Sequence, residues 1–386
     1  MKIKNIEKAA ERIIKAAKDK ERIIIYGDSD MDGISSMIVL KETIDNISKD
    51  NDILAFSPMR NDGHGLNSKA LEFIKSKTNK GLIITLDCGI TNFEEIKNAK
   101  ESGFSIIVVD HHKALGGVPI DAEIVVAPKQ EGDETLFKEY ANVGLTFKLA
   151  EEILKDKMSP MLRESFLELV ALGTISDMMI EEGENKEWIE EGLKKIEMSN
   201  RPSIRAIFSI LNPMDFTSKR DMVSKVNSAL NSSSMNDYVH KTYLFLLEND
   251  FDKCTETARE LIDESNKKQR EVAQLTNELI EKFSKEDDNI IFGGSYFWKG
   301  EYLGAVASRL CNFFNKPVFI YRKGEEESRG TVRVPKGTDA VKAMDSCKEL
   351  LAMYGGHPPA AGFTIKNENI DFFKEALKKY FEKNNQ

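Results

Sequence analysis

Arg22-Ile23-Ile24-Ile25-Tyr26-Gly27-Asp28-Ser29-Asp30-Met31-Asp32-Gly33 is a β-branched apolar run that stops abruptly in alternating carboxylates. The run is continuous rather than alternating, which suits a strand covered on both faces, as in a parallel sheet. The pattern recurs. Gly81–Leu86 ends in Asp87, and Ser105–Val109 ends in Asp110-His111-His112. Glu123–Ala127 and Asp52–Phe56 read as two further strands. Between them, Ile34–Ile47, Ser68–Ser76 and Asn92–Ser102 carry helical spacing. Strand–helix alternation predicts right-handed βαβ units and an open α/β sheet.

Beyond residue 140 the pattern changes. Val143–Lys155, Met161–Leu172, Lys186–Met198 and Ser203–Leu211 read as helices. From Phe251 to about Phe283, Leu261, Ile262, Val272, Leu275, Leu279 and Ile280 recur on one face of a long, charged pattern. Strands return at Asn289–Phe292, Pro317–Tyr321 and Gly330–Val334, with helices at Ala305–Phe314, Ala340–Met353 and Ile370–Phe381. The expected division is a domain over 1–250, with its parallel sheet in about 1–130 and a helical part in about 140–250. A connecting helix over 251–285 and a smaller α/β domain over 286–386 follow.

The 386 residues hold 55 Lys and Arg against 64 Asp and Glu, a formal charge of -9. A hydrophobic fraction of 41% supports real cores and excludes a disordered chain. No run approaches the roughly 20 apolar residues that span a bilayer. The N-terminus Met1-Lys2-Ile3-Lys4 lacks the apolar stretch of a signal peptide. Cys88, Cys254, Cys311 and Cys347 lie far apart with no Cys-x-x-Cys pair, so neither a zinc ribbon nor a disulfide framework is expected. A reducing cytoplasm and no membrane partner are the corresponding expectations. The acidic balance argues against a broad basic surface for nucleic acid.

The carboxylates stand where open α/β sheets bind ligands, outside the carboxyl ends of strands. If the three acidic runs are parallel neighbours, Asp28, Asp30, Asp32, Asp87, Asp110, His111 and His112 converge on one edge. Like-charge repulsion would penalise such a cluster unless cations compensate it. Carboxylates with one or two imidazoles suit Mn²⁺, Mg²⁺ or Fe²⁺. Asp177, after an apolar helix, could complete the set. A single Asp at a strand end is ordinarily a helix N-cap. A calcium loop would need Glu at its twelfth position, where counting from Asp28 gives Val39.

Asp28-Ser29-Asp30-Met31-Asp32-Gly33, Asp87, Asp110-His111-His112 and Gly173-Thr174-Ile175-Ser176-Asp177 resemble the four motifs of the DHH phosphoesterase superfamily. Gly304-Ala305-Val306-Ala307-Ser308-Arg309-Leu310, Ser328-Arg329 and Gly355-Gly356-His357-Pro358-Pro359-Ala360-Ala361-Gly362 resemble the DHH-associated domain. Pro58-Met59-Arg60 with His64-Gly65-Leu66, and Asn315-Lys316-Pro317-Val318, are similar to the RecJ-like exonuclease branch. The resemblance covers nearly the whole chain.

It implies an N-terminal parallel-sheet DHH domain and a metal-dependent exonuclease on single-stranded DNA or RNA. Two divalent cations are implied, Mn²⁺ ahead of Mg²⁺. Asp30 and Asp87 would hold one, with Asp28 close by; Asp32, Asp87, His111 and Asp177 would hold the other, so that Asp87 bridges. His112 would face the scissile phosphate and Asp110 would support it. Arg309 and Arg329 would fork onto phosphates. Gly355, Gly356 and His357 would meet the strand closely. Phe297, Trp298 and Tyr302 are stacking candidates, with core packing expected for at least two. Tyr26 stands where related members place a His four positions before Asp30, which gives Asp28 its implied role. Lys225–Ser232 matches an Arg-rich segment of the branch but lacks its Gly-Arg. The short stretch after Gly362 leaves no room for an oligonucleotide-binding barrel, an expectation matching archaeal forms. The competing readings are a phosphodiesterase on cyclic dinucleotides or short oligonucleotides, and a replisome scaffold. Binding of GINS is a partner the resemblance allows.

Overall fold

The computed structural model describes residues 2–59, 65–114 and 116–384. Two compact units divide the chain, Met1–Ser265 and Asn266–Gln386. Arg60 and His64, part of the string used above, lie outside the described residues.

In the first unit, β1 (Ile23–Gly27), β2 (Ile53–Phe56), β3 (Gly81–Leu86), β4 (Phe104–Val109) and β5 (Ile124–Val126) form one parallel sheet in the order β2-β1-β3-β4-β5. The strand order reverses between β1 and β3, so their carboxyl ends flank a topological switch point. The apolar runs are continuous because alternate residues serve opposite cores. Ile23, Ile25, Leu82 and Ile84 join the core formed with α1 (Ile6–Lys18), α2 (Met31–Ile47) and α5 (Asn142–Leu154). Ile24, Tyr26, Ile83 and Ile106 face α3 (Ser68–Lys77) and α4 (Phe93–Glu101). Each fully buried Ile contributes about 1.5–3 kcal/mol, so a one-residue slip that reversed the faces is excluded.

Helices complete this unit. α6 (Pro160–Ser176) starts with Ser159 as its N-cap, accepting from the Leu162 N–H at 3.2 Å, and Pro160 in its first turn. α7 (Gly183–Leu193), α8 (Pro202–Ser209), α9 (Lys219–Asn231), the short hairpin β6 (Met235–Asn236) and β7 (Val239–His240), and α10 (Lys241–Leu247) follow. α9 carries the Lys225–Ser232 segment. Its Asn227 Nδ2 donates to the Leu172 carbonyl at 2.9 Å and its Asn231 Nδ2 to Ser176 Oγ at 2.9 Å, so it braces the end of α6. α11 (Phe251–Phe283) is one continuous helix, and the division between the units falls within it.

The second unit is a mixed sheet. β8 (Ile291–Ser295), β9 (Val318–Arg322), β10 (Glu327–Arg333), β11 (Leu351–His357) and β12 (Ala360–Lys366) lie in the order β11-β12-β10-β9-β8, with only β8 and β9 parallel. α12 (Gly300–Phe314) covers one face. α13 (Ala340–Asp345) and α14 (Ile370–Asn384) cover the other. The helix expected over 340–353 stops at Asp345, and Leu351–Met353 opens β11 instead. β11 and β12 had no sequence expectation. Tyr354 pairs with Phe363 across them and both pack into the same core, and this long-range burial overrides local helical spacing. Gly355 and Gly356 therefore lie in a strand and do not end a helix.

Among the described residues no helix is long and apolar enough to cross a membrane. All four cysteines are buried and free of disulfides.

Candidate metal centre

The acidic run after β1 folds back immediately because Asp30 caps α2. One oxygen, Oδ1, accepts from the N–H groups of Asp32 and Gly33, each at 3.0 Å. A Cβ on Gly33 would collide with the Asp28 carbonyl oxygen, which is why the turn needs glycine. The bland reading of a strand-end Asp is thus true of Asp30, but capping occupies only one of its oxygens.

Asp32 lies in the first turn of α2 and is fully buried. Its Oδ2 accepts from the Asn142 N–H and its Oδ1 from the Val143 N–H, both at 2.7 Å. It therefore caps α5, more than a hundred residues away, where the helix dipole favours negative charge. Gly173 of α6 permits this approach: a Cβ there would lie 2.8 Å from a Val143 methyl and 3.2 Å from Asp32 Oδ1.

Asp87 follows β3 with φ at +61°, a left-handed conformation uncommon for a residue with a side chain. Asp110 follows β4 and is 1% exposed. Its Oδ2 accepts from the Ile90 N–H at 3.0 Å; its Oδ1 takes the His112 N–H at 3.0 Å and His112 Nδ1 at 2.8 Å. His111 donates from Nδ1 to the Tyr140 carbonyl at 2.8 Å, since a carbonyl can only accept. Asp177 ends α6.

Three groups of ligand atoms result, each with its atoms within 4.8 Å of one another: Asp28, Asp30 and Asp87; Asp32, His111 and Asp177; and Asp87, His111 and His112. Asp87 is shared, and all six carboxylates and imidazoles assigned to metal from sequence stand in these groups. Asp110 stands outside them and holds His112.

The donor chemistry fits cations. With its proton on Nδ1, His111 presents a lone pair at Nε2, 3.1 Å from Asp87 Oδ1 and 3.7 Å from Asp177 Oδ2. Asp87 Oδ1 and His111 Nε2 are both buried and lack a hydrogen-bond partner. Two acceptors held face to face in a low-dielectric pocket are costly unless something positive lies between them. The carboxyl groups register the same repulsion. Burial, then the charge of Asp30, pushes Asp32 up to about 7. Burial, then Asp32, raises Asp177 to about 6. Asp87 is raised well above the usual range by burial and then by Asp32, Asp30 and Asp28. His112 moves up instead, because of its hydrogen bond to Asp110.

Tyr26, the residue in place of the expected His, sends its hydroxyl to the Gly65 carbonyl at 3.0 Å and packs among the α3–α4 core. It takes no part in these groups.

The second unit presents a separate polar face. Alternation on β10 puts Arg329, Thr331 and Arg333 on the side of α12, while Val332 faces the other core. Register carries this face across β12 and β11. Arg329 pairs with Thr364; Thr331 pairs with Gly362, which pairs with Gly355; Arg333 pairs with Ala360, which pairs with His357. The His357 side chain lies outside the described residues. Gly355 is exposed, with nothing within 4 Å of where a Cβ would stand. Arg309 and Arg329 are exposed. Arg333 was missed by the sequence reading. It is half-buried and held by Ser308 Oγ at 3.1 Å, Thr331 Oγ1 at 3.1 Å and the Val332 carbonyl at 2.8 Å. Among the described residues no carboxylate pairs with it, and burial lowers its pKa. Its period-2 spacing from Arg329 was the available signal. Of the three aromatic candidates, Tyr302 is buried, Trp298 is partly buried, and Phe297 is 94% exposed.

Residues 22–174 match the DHH family, N-terminal domain, and residues 287–383 match the DHHA1 domain. The single-stranded-DNA-specific exonuclease RecJ of Bacillus subtilis is 31% identical over 381 residues, 97% of this chain. This chain spans only 47% of that relative's length. A crystal structure of exonuclease RecJ bound to manganese matches with a TM-score of 0.85 at 26% identity, covering 99% of this chain and 95% of that one. RecJ of Thermus thermophilus in complex with Mn²⁺ matches with a TM-score of 0.84 at 25% identity, covering 99% of this chain and 55% of that one.

Proposed function

The chain belongs to the DHH family and carries a DHHA1 domain in its second unit, and on that premise we propose that it is a metal-dependent exonuclease of RecJ type, hydrolysing phosphodiester bonds in single-stranded nucleic acid. The observation that carries this reading is the pair of buried, unsatisfied acceptors, Asp87 Oδ1 and His111 Nε2, set among further carboxylates. Asp28, Asp30 and Asp87 would hold one divalent cation; Asp32, Asp87, His111 and Asp177 would hold the other. Such cations supply positive charge beside a phosphodiester and lower the pKa of water toward neutrality. Mn²⁺ is the first choice and Mg²⁺ the second: the two solved relatives compared above are bound to Mn²⁺, and a further RecJ structure is in complex with Mg²⁺.

The remaining steps fall to the protein's own groups. Asp110 fixes the proton of His112 on Nδ1 and favours the imidazolium. The His112 side chain is 53% exposed, so its other nitrogen is available to a ligand. It would donate to a non-bridging phosphate oxygen as charge builds there. Arg309, Arg329 and Arg333, with the open backbone at Gly355, would grip the phosphates of the strand, and Gly356 and His357 continue that edge of the sheet along β11. A role in DNA repair, recombination or replication, in the reducing cytoplasm that four free thiols suit, follows from the same reading.

A purely scaffolding role in a replisome, with GINS as partner, is disfavoured because no ligand of the set is missing. The test is digestion of an oligonucleotide of about 30 nucleotides, labelled at either end, with Mn²⁺ and Mg²⁺ compared. Progressive shortening of single strands is expected. Attack confined to di- to tetranucleotides or cyclic dinucleotides would replace the exonuclease by a small-substrate phosphodiesterase.

A further inference from the structure

Asp87 poses a positional problem that its carboxylate does not solve. It belongs to two of the three ligand groups, its Oδ1 has no hydrogen-bond partner, and its backbone is left-handed at φ +61°. Its place must therefore be set from the main chain.

One side chain is built to do this. Asn142, the first residue of α5, is 0% exposed. Val109 offers a carbonyl and Asp87 an N–H, and these fix the orientation of the amide. Asn142 Nδ2 donates to the Val109 carbonyl at 3.0 Å. Its Oδ1 accepts from the Asp87 N–H at 2.8 Å and from Ser36 Oγ at 3.1 Å. The Asp87 N–H is also in reach of the Val109 carbonyl at 3.1 Å, so the strand-end ladder and the amide share one donor. At the same time the Asn142 main-chain N–H binds Asp32 Oδ2 at 2.7 Å.

We propose that Asn142 is a positioning residue that sets Asp87 relative to Asp32, and so fixes the spacing of the two cation sites. Its backbone holds Asp32, a ligand of one group, and its side chain holds the main chain of Asp87, a ligand of the other two. The role requires a donor and an acceptor on one planar head. Aspartate keeps the shape but would turn an oxygen toward the Val109 carbonyl, and alanine keeps neither contact. This inference rests on the reading of the site as a metal centre.

The test uses the full chain, stripped of metal and titrated with Mn²⁺ by calorimetry and by electron paramagnetic resonance, alongside thermal unfolding of the metal-free protein. Asn142→Asp and Asn142→Ala are compared with Thr146→Val, a buried control on the same helix. Removing support of this kind weakens metal affinity by about 10–100-fold, and both Asn142 variants should show it while Thr146→Val binds like wild type. KM for the oligonucleotide should change less than kcat. Should Asn142→Ala not fold, the isosteric Asn142→Asp carries the comparison. Wild-type affinity in Asn142→Asp with only a lowered Tm would make the residue merely structural and overturn the positioning role alone. A wild type that binds no Mn²⁺ would overturn the metal reading, and this proposal with it.

Discussion

His111 Nε2 stands 3.1 Å from Asp87 Oδ1, and with Asp87 ionised neither atom carries a proton for the other. The Tyr140 carbonyl claims the imidazole proton on the far side of the ring. A contact that would be an ordinary ion pair with protonated histidine is therefore a repulsive one between neutral histidine and ionised Asp87, whose carboxyl is pushed toward its protonated form by burial and the neighbouring carboxylates. Burial lowers the His111 pKa, with His112 adding to the effect. This repulsion costs stability in the metal-free protein, at a set of groups that could hold a cation.

Asp87→Asn should relieve this repulsion, because an amide nitrogen can donate to His111. The metal-free variant is expected to unfold at a higher temperature, by about 1–3 kcal/mol in stability. Mn²⁺ should no longer shift its Tm, and cleavage should be lost. Calorimetric scans with and without Mn²⁺, beside the ladder assay, check both halves. Retained Mn²⁺-dependent cleavage would refute the shared role of Asp87.

The carboxyl groups also set a pH dependence. Asp32 at about 7 and Asp177 at about 6 lie above the unfolded value of 3.8. The folded, metal-free protein binds more protons than the unfolded chain in this interval, so their contribution to stability falls as pH rises from about 4 to about 7. Mn²⁺ replaces those protons and should stabilise more at pH 8 than at pH 5.5. At a hundredfold excess over Kd the gain is about 2.7 kcal/mol. Equal Tm shifts at both pH values would contradict this.

Arg333→Ala should weaken binding of single-stranded oligonucleotide and lower the slope of log K against log salt by about 0.7, the value for one phosphate contact. KM is expected to rise more than kcat falls. Arg333→Lys should not restore binding fully, because a point charge cannot reproduce the fork held by Ser308 and Thr331. Binding isotherms across a salt series measure this; an unchanged slope would remove Arg333 from the interface.

Glu168, on α6, offers a stability test far from any cleavage assay. Burial raises its pKa to about 7, although Ser199 Oγ donates to it at 2.5 Å and Arg201 is near. Its folded value exceeds the unfolded 4.5, so its contribution to stability is lost as pH rises through 7. Glu168→Gln should flatten that decline and stabilise the protein at pH 8 by about 1–2 kcal/mol. Thermal unfolding at pH 5 and pH 8 checks it, and a larger decline in the variant would contradict it.

Most of the ligand set was legible because a parallel strand announces both its burial and its carboxyl end. α5 to α8 were equally readable from their period, whereas α1, α9 and α10 had no sequence expectation. β11 and β12 were not, because Leu351–Tyr354 continues the spacing of α13 and only pairing with Phe363 makes it a strand. Arg329 was chosen over Arg333 since an exposed Arg and a half-buried one look alike in sequence. Asn142 gave no signal, as an asparagine opening a helix is ordinarily read as its own cap.

The sequence by itself determined which donor groups are available for the proposed chemistry. Side-chain identity fixes donor type, and an apolar run ending in Asp fixes the edge on which that donor lies. Tertiary structure alone decided how those donors face each other. The strand order β2-β1-β3-β4-β5 brings Asp28 and Asp87 to one switch point, and α5 arrives from residue 142 to hold Asp32 and Asp87 together. These contacts join residues tens to more than a hundred positions apart, a distance over which local periodicity carries no information.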